Sequence, residues 1–159
     1  MAKKHAVQKI KSFAKNKKAF VDFETLEKLE AGIMLNGGEV KSVKNGSAQL
    51  KGSFIEIKHG NAFANNIHIS KYKYDSSNAL NPTRRRKLLL HKKEIAEITS
   101  KLDMKGLTVI PLELYEKHGL IKLLIGICRG KKKYDRREEL KKRAHDIDVA
   151  QAMKRFSRK

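Results

Sequence analysis

Residues 106–128 read Gly106-Leu107-Thr108-Val109-Ile110-Pro111-Leu112-Glu113-Leu114-Tyr115-Glu116-Lys117-His118-Gly119-Leu120-Ile121-Lys122-Leu123-Leu124-Ile125-Gly126-Ile127-Cys128. Two runs rich in Val, Ile and Leu, Gly106–Tyr115 and Gly119–Cys128, flank Lys117-His118-Gly119, a break of turn type. The stretch therefore predicts a β-hairpin. Pro111 has no N–H to give to a ladder, which predicts an edge or bulged position for it.

Upstream, Gly52–Lys58 alternates Ile55 and Ile57 against Phe54 and Glu56 and reads as a strand. His59-Gly60-Asn61 is a hairpin turn signal, and Ala62–Ile69 supplies Phe63, Ile67 and Ile69 for the return strand. Ala19–Leu29, which opens with Phe20, Val21 and Phe23, reads as a further strand. Leu88, Ile95, Ile98 and Leu102 recur at helical spacing among Lys92, Lys93, Glu94 and Glu97, so Leu88–Leu102 is expected to be an amphipathic helix covering the sheet. A shorter helical turn is expected at Glu39–Val43, ended by Asn45-Gly46. Many short strands and few helices predict a mainly β fold: a small closed antiparallel barrel of oligonucleotide-binding type with one or two flanking helices.

The chain of 159 residues carries 37 Lys and Arg against 17 Asp and Glu, a formal charge of +20, with 40% hydrophobic residues and a mean hydropathy of −0.59. That is one modest domain with enough apolar material for a core. The charge sits at the ends: seven Lys and no acid in residues 1–18, and twelve cations against five acids in residues 131–159. The expected organisation is a basic arm at 1–18, a barrel core at 19–130, and a basic tail at 131–159. Self-repulsion at +20 is relieved by a polyanion, either nucleic acid or an anionic membrane surface, and a small uncharged ligand is a poor fit. One cysteine, Cys128, leaves no internal disulfide framework, and no stretch approaches the roughly 18 apolar residues of a membrane span. Met1–Lys18 lacks the apolar core of a secretory signal, so a cytoplasmic protein is expected.

Catalytic signals are weak. The six His are scattered without zinc-like spacing. Cys128 ends an apolar run and reads as a buried, inert thiol. Asp22, Glu24, Glu27, Glu30 and Glu39 could supply a two-metal nuclease site, but no clustered carboxylate motif is present and ion-paired surface acids are the plainer reading. No phosphate-cradling Gly-rich loop ends in Lys-Ser or Lys-Thr. No enzyme activity, cofactor, metal or small-molecule substrate is expected.

The basic clusters suggest binding. Arg84-Arg85-Arg86-Lys87 follows the turn Asn81-Pro82-Thr83 and displays four cations before a helix, suited to phosphate, the alternative being a solvated charged loop. Arg129, Lys131, Lys132 and Lys133 leave the last strand in the same way. Tyr134 then lies among cations, which suits stacking on an unpaired base, the alternative being local packing on the barrel. Downstream, the only apolar stripe is Leu140, Ala144 and Ile147, continuing to Gln151, too little to hold a free helix. The tail is expected to be disordered alone and helical on a polyanion.

Four motifs in order resemble the small protein B family, the SsrA-binding proteins that accompany transfer-messenger RNA (tmRNA) in bacterial ribosome rescue. They are Asn16-Lys17-Lys18-Ala19; Glu30-Ala31-Gly32-Ile33 with Gly38-Glu39-Val40-Lys41-Ser42; Pro82-Thr83-Arg84-x-Arg86-Lys87-Leu88-Leu89-Leu90; and Gly130-Lys131-Lys132-x-Tyr134-Asp135-Arg136-Arg137. The resemblance covers nearly the whole chain. It implies a barrel that grips the tRNA-like domain of tmRNA in place of a missing anticodon arm, and a tail that enters the empty messenger channel of a stalled small subunit. Asn16, Lys17, Glu30 and Lys122 match positions tied to RNA binding in that family, and Lys44 falls where a basic residue is usual. Tyr134 matches a contact to the decoding centre, and Asp135-Arg136-Arg137 matches an Asp-Lys-Arg motif with Arg in the middle. The runner-up is a general ribosomal or ribosome-assembly protein. Glu30 is an acid on an RNA-binding surface, and two accounts stay open: an acceptor that orients a neighbouring Lys or the turn near Gly32, or an acceptor for a base amino group.

Overall fold

The computed structural model describes residues 11–74 and 81–156. In chain order the elements are β1 (Lys11–Lys15), α1 (Lys17–Asp22), β2 (Phe23–Ile33), α2 (Gly37–Lys44), β3 (Ala48–Gln49), β4 (Phe54–Lys58), β5 (Asn61–Asn65), β6 (His68–Ile69), β7 (Arg86–Leu89), α3 (Lys92–Leu102), β8 (Leu107–Lys117), β9 (Leu120–Gly130) and α4 (Lys133–Phe156). The fold is mainly β. Seven strands pair antiparallel in the order β1-β8-β9-β2-β7-β5-β4, and β3 pairs with β6 apart from them. The sequence predicts closure, but among the described residues the ladder order runs open from β1 to β4.

The β8–β9 hairpin forms as expected, and its near-continuous apolar runs have a physical cause: both faces are covered. Val109, Leu114, Leu123, Ile125 and Ile127 face the main core with Ala31, Ile55, Ile67, Leu88 and Ile98, while Ile110, Leu112 and Cys128 pack on the other side with Ala19 of α1. Cys128 is buried, and burial pushes its thiol pKa up. Both hairpins turn on His-Gly: His59 and Gly60 have φ of 49° and 68°, His118 and Gly119 have 52° and 74°. Two successive left-handed residues give the twist that tight hairpins need. Pro111 is not on an edge, since β8 lies between β1 and β9; it takes the bulged option, at a register shift between Pro111 and Glu113.

Several expectations are corrected. Phe20 and Val21 belong to α1, and the strand starts only at Phe23. The reason is Asn16, which is 4% exposed: its Oδ1 accepts the Ala19 N–H as a helix N-cap, and its Nδ2 donates to the carbonyls of Leu50 and Pro111 at 3.0 Å each. The arm–core boundary expected at residue 18 accordingly moves, because β1 pairs with β8 and α1 covers it; residues 1–10 lie outside the described residues. Leu88 is in β7, and the helix starts at Lys92, where Glu94 accepts the His91 N–H at 2.7 Å. The return strand Ala62–Ile69 breaks in two at Asn66, which has φ of 58°. The short helix expected at Glu39–Val43 is there as α2, capped by Asn45.

Candidate RNA interface

The four cations at 84–87 do not act together. Arg86 is 0% exposed, and all five of its N–H groups are donated inward: Nε and Nη2 to Glu39 Oε1 at 3.0 and 2.8 Å, Nη1 to the carbonyls of Ile67 and Arg84 at 2.6 and 3.0 Å, Nη2 also to that of Pro82 at 2.9 Å. Arg84 binds the same carboxylate bidentately, through Nε at 2.9 Å and Nη2 at 2.6 Å. Glu39 also accepts the Asn36 N–H, the capping box of α2. Burial raises the Glu39 pKa, but the Arg84 and Arg86 guanidiniums and the Asn36 N–H outweigh it, and the carboxyl rests below its ordinary value. Arg86, expected on RNA, is therefore a core residue, placed inward by the alternation of β7. Arg85 and Lys87 point the other way and are exposed.

The outer face of β2, β7 and β9 assembles a different set. Gly32 pairs with Leu89 on one side and Lys122 on the other, and Tyr115 of β8 pairs with Lys122. Glu30 Oε2 accepts the Tyr115 hydroxyl and the Lys117 ammonium, the latter at 2.8 Å. Those two bonds, Lys117 first, hold the Glu30 carboxyl below its usual range, with Lys122 adding charge. Of the two accounts of Glu30, this geometry supplies the first: it orients a neighbouring Lys. Leu89 is 57% exposed on the same face, and with Leu120, Val40, Gly32 and Lys122 it lines a cavity of about 240 Å³. A Cβ on Gly32 would come within 3.0 Å of the Leu89 Cβ, so the glycine lets this leucine lie flat on the strand beside it. Sequence reasoning does not single out Leu89; its signal is the run of three leucines Leu88-Leu89-Leu90, in which a short strand must turn one outward. Lys44 lies at the end of α2, ion-paired to Glu116 at 3.1 Å.

A second group gathers where α1, the end of β9 and the start of α4 meet. Lys17, Lys18, Arg129, Lys132 and Lys133 are exposed there. Lys131 is not: its N–H donates to the Asp22 carbonyl at 2.9 Å, and its ammonium binds the Phe20 carbonyl and Glu139. Arg136 Nε donates to the Lys131 carbonyl at 3.1 Å, across the corner between β9 and α4. Tyr134, Asp135 and Arg137 are exposed on the first turns of α4. Among the described residues no three His, Cys, Asp or Glu side chains gather as metal ligands, and no helix is long and apolar enough to cross a membrane.

Comparison with known proteins gives consistent matches. The family model described as SmpB protein matches residues 13–155. The SsrA-binding protein of Latilactobacillus sakei is 45% identical over 155 residues, covering 98% of this chain and 99% of that protein. The SsrA-binding protein of Geotalea uraniireducens is 48% identical over 148 residues, covering 93% and 98%. A solved chain from the structure "tmRNA-SmpB: a journey to the center of the bacterial ribosome" aligns with a TM-score of 0.64 at 39% identity, covering 79% of this chain and 92% of that one.

Proposed function

The chain belongs to the SmpB family, and from that premise we propose that it is a non-enzymatic adaptor that binds the tRNA-like domain of tmRNA and brings it to stalled ribosomes for trans-translation in the cytoplasm. The observation that carries the reading is the outer face of β2, β7 and β9. A charged pair held in place by Tyr115, a free-standing apolar step at Leu89, and Lys122 beside it form a surface able to meet a folded RNA by shape and phosphate. The sheet that carries it is an oligonucleotide-binding-like barrel: β4, at one end of the strand order, lies against β8, the neighbour of β1 at the other end. Lys17, Lys18, Arg129, Lys132 and Lys133 extend the cationic surface around α1, and Asn16 holds α1 in place for them.

The tail reads the empty messenger channel. As a helix of 24 residues it spans about 36 Å, enough to reach well into a channel, and apart from half-buried Arg136 and Glu139 its residues from Lys133 to Arg155 are exposed, with little apolar packing to keep it folded alone. Its order depends on a polyanionic wall, and Tyr134, Asp135 and Arg137, on its first turns, lie next to the decoding centre. Gel shifts with the tRNA-like domain and with an RNA duplex of similar length, with and without magnesium, test the proposal. Clear preference for the tRNA-like domain with the RNA intact supports it. Equal binding to both points to a general ribosomal protein, and magnesium-dependent cleavage to a nuclease; either overturns it.

A further inference from the structure

On the outer face of β5 the Phe63 ring carries the Arg85 guanidinium, with Cζ 3.8 Å from the ring centroid. A guanidinium that close lies near-flat on the ring, because turned on edge it would drive a nitrogen into the ring's van der Waals envelope. Glu56, opposite Phe63 in the β4–β5 register, holds one edge of the same group, Arg85 Nη2 to Glu56 Oε2 at 3.3 Å. Asn65 Nδ2 donates to that carboxylate at 3.5 Å. The Arg85 plane is thus fixed from below by an aromatic ring and from one edge by an acid, and its side chain is still 39% exposed.

We propose that Phe63 and Arg85 form a stacking pedestal that takes one unpaired RNA base on the outer face of the guanidinium, with Lys87 holding the adjoining phosphate. This deepens the adaptor reading and rests on it in naming RNA as the ligand. A bare phosphate is the poorer occupant of Arg85, because Glu56 already neutralises the edge from which a guanidinium binds oxyanions. What stays available is the π face, which suits a base, and bases stack on Arg planes as on aromatic rings. Lys87 is exposed directly across from Phe63 on β7, and Leu89 is the next residue outward along that strand. The pedestal therefore continues the Leu89–Lys122 surface by one strand, so an RNA seated there has its neighbouring nucleotides led over Arg85.

The test uses the full chain and a short single-stranded RNA with a central 2-aminopurine, whose fluorescence is quenched by stacking, beside the duplex of the same sequence. Arg85→Lys keeps the charge and loses the plane; Phe63→Leu removes the support. The expected result is quenching with the single strand and not the duplex, lost in Arg85→Lys together with roughly tenfold in affinity, while the salt dependence stays as in the parent. Lys87→Gln should do the reverse, lowering the salt slope and sparing the quenching. If Arg85→Lys binds and quenches like the parent, the pedestal is wrong even where preference for the tRNA-like domain holds. If that preference is absent but quenching still depends on Arg85, the adaptor reading falls and the pedestal stands. Should Phe63→Leu unfold, Arg85→Lys decides alone.

Discussion

Replacing Arg86 by Met separates a core role from an RNA role at a position where the sequence suggests the latter. The substitution removes five hydrogen bonds, two of them to the Glu39 carboxylate, from a side chain with no exposure. Breaking a buried ion pair from one side costs about 3–5 kcal/mol. The loss falls toward the lower end, because Arg84 still binds Glu39 through two nitrogens and no bare charge is left. Against that, the carbonyls of Ile67, Pro82 and Arg84 lose a donor each, and any that stays dry costs about 1–3 kcal/mol. These contributions overlap, and a net destabilisation of about 3–4 kcal/mol is expected, which for a domain of this size lowers the melting midpoint by roughly 10 °C. Thermal and urea unfolding followed by circular dichroism measure it. The companion assay is the salt dependence of RNA binding at a temperature where the variant is folded: Arg86→Met should leave the slope unchanged, whereas Lys87→Ala should lower it by about 0.7–0.9 for each phosphate that the lysine neutralises. An unmoved midpoint with a reduced slope would refute the reasoning and return Arg86 to the RNA surface.

Ile98→Ala, at a fully buried position of α3, should destabilise by about 2–5 kcal/mol, and Ile95→Ala, half-buried, by clearly less; equal midpoints in urea would mean that α3 does not close the core. The Glu39 carboxyl titrates below its unfolded value of about 4.5. Its contribution to stability is therefore complete above that value and drains away as pH falls through the lower folded value, so the unfolding midpoint should drop in acid, and Glu39→Gln should flatten that limb of the curve. Truncation after Lys133 should leave binding to the tRNA-like domain intact apart from a loss that fades with added salt, and abolish peptide tagging on stalled ribosomes. Tagging that survives truncation would remove the tail from the mechanism.

The hairpins were legible because strand and turn speak in the same few residues: apolar runs on either side of His-Gly leave little choice. The start of α3 was not, because Leu88 stands seven residues before Ile95, two helical turns, and so stays in phase with the helix while lying in a strand. Phe20 and Val21 misled for the opposite reason. They lie in a helix whose Ala19 and Phe20 pack on β8 and β9, and the cap that starts the helix draws on carbonyls of Leu50 and Pro111 far along the chain. At the candidate interface, the resemblance picks out Glu30 and Lys122, and the fold puts both on one face of the sheet. What no local pattern could tell was which of four successive cations turns inward. That is decided by the parity of a four-residue strand and by an acid 47 positions away, Glu39.

The placement of the acids explains how a chain of +20 presents an ordered surface rather than a diffuse cloud of charge. Glu39, Glu30, Glu56 and Glu116 each hold a cation on or under the sheet: Arg84 with Arg86, Lys117, Arg85 and Lys44. Apart from the buried Glu39 pairs, these ion pairs are partly exposed and add little to stability. Their effect is on geometry, since a long side chain already fixed has less conformational freedom to lose when a ligand arrives. An acid at Glu30 is thus compatible with an RNA face. It lowers the local positive potential slightly, but it stands Lys117 and Tyr115 in fixed positions beside Lys122, and shape-based recognition of a folded RNA depends on such fixed positions. In the proposed adaptor the long-range attraction comes from elsewhere, from exposed cations such as Lys17, Lys18, Arg129, Lys132 and Lys133. Steering and recognition are therefore carried by different residues. It follows that Glu30→Gln should weaken the discrimination between RNAs more than the overall affinity for them, whereas removing the α1 and junction lysines should do the opposite.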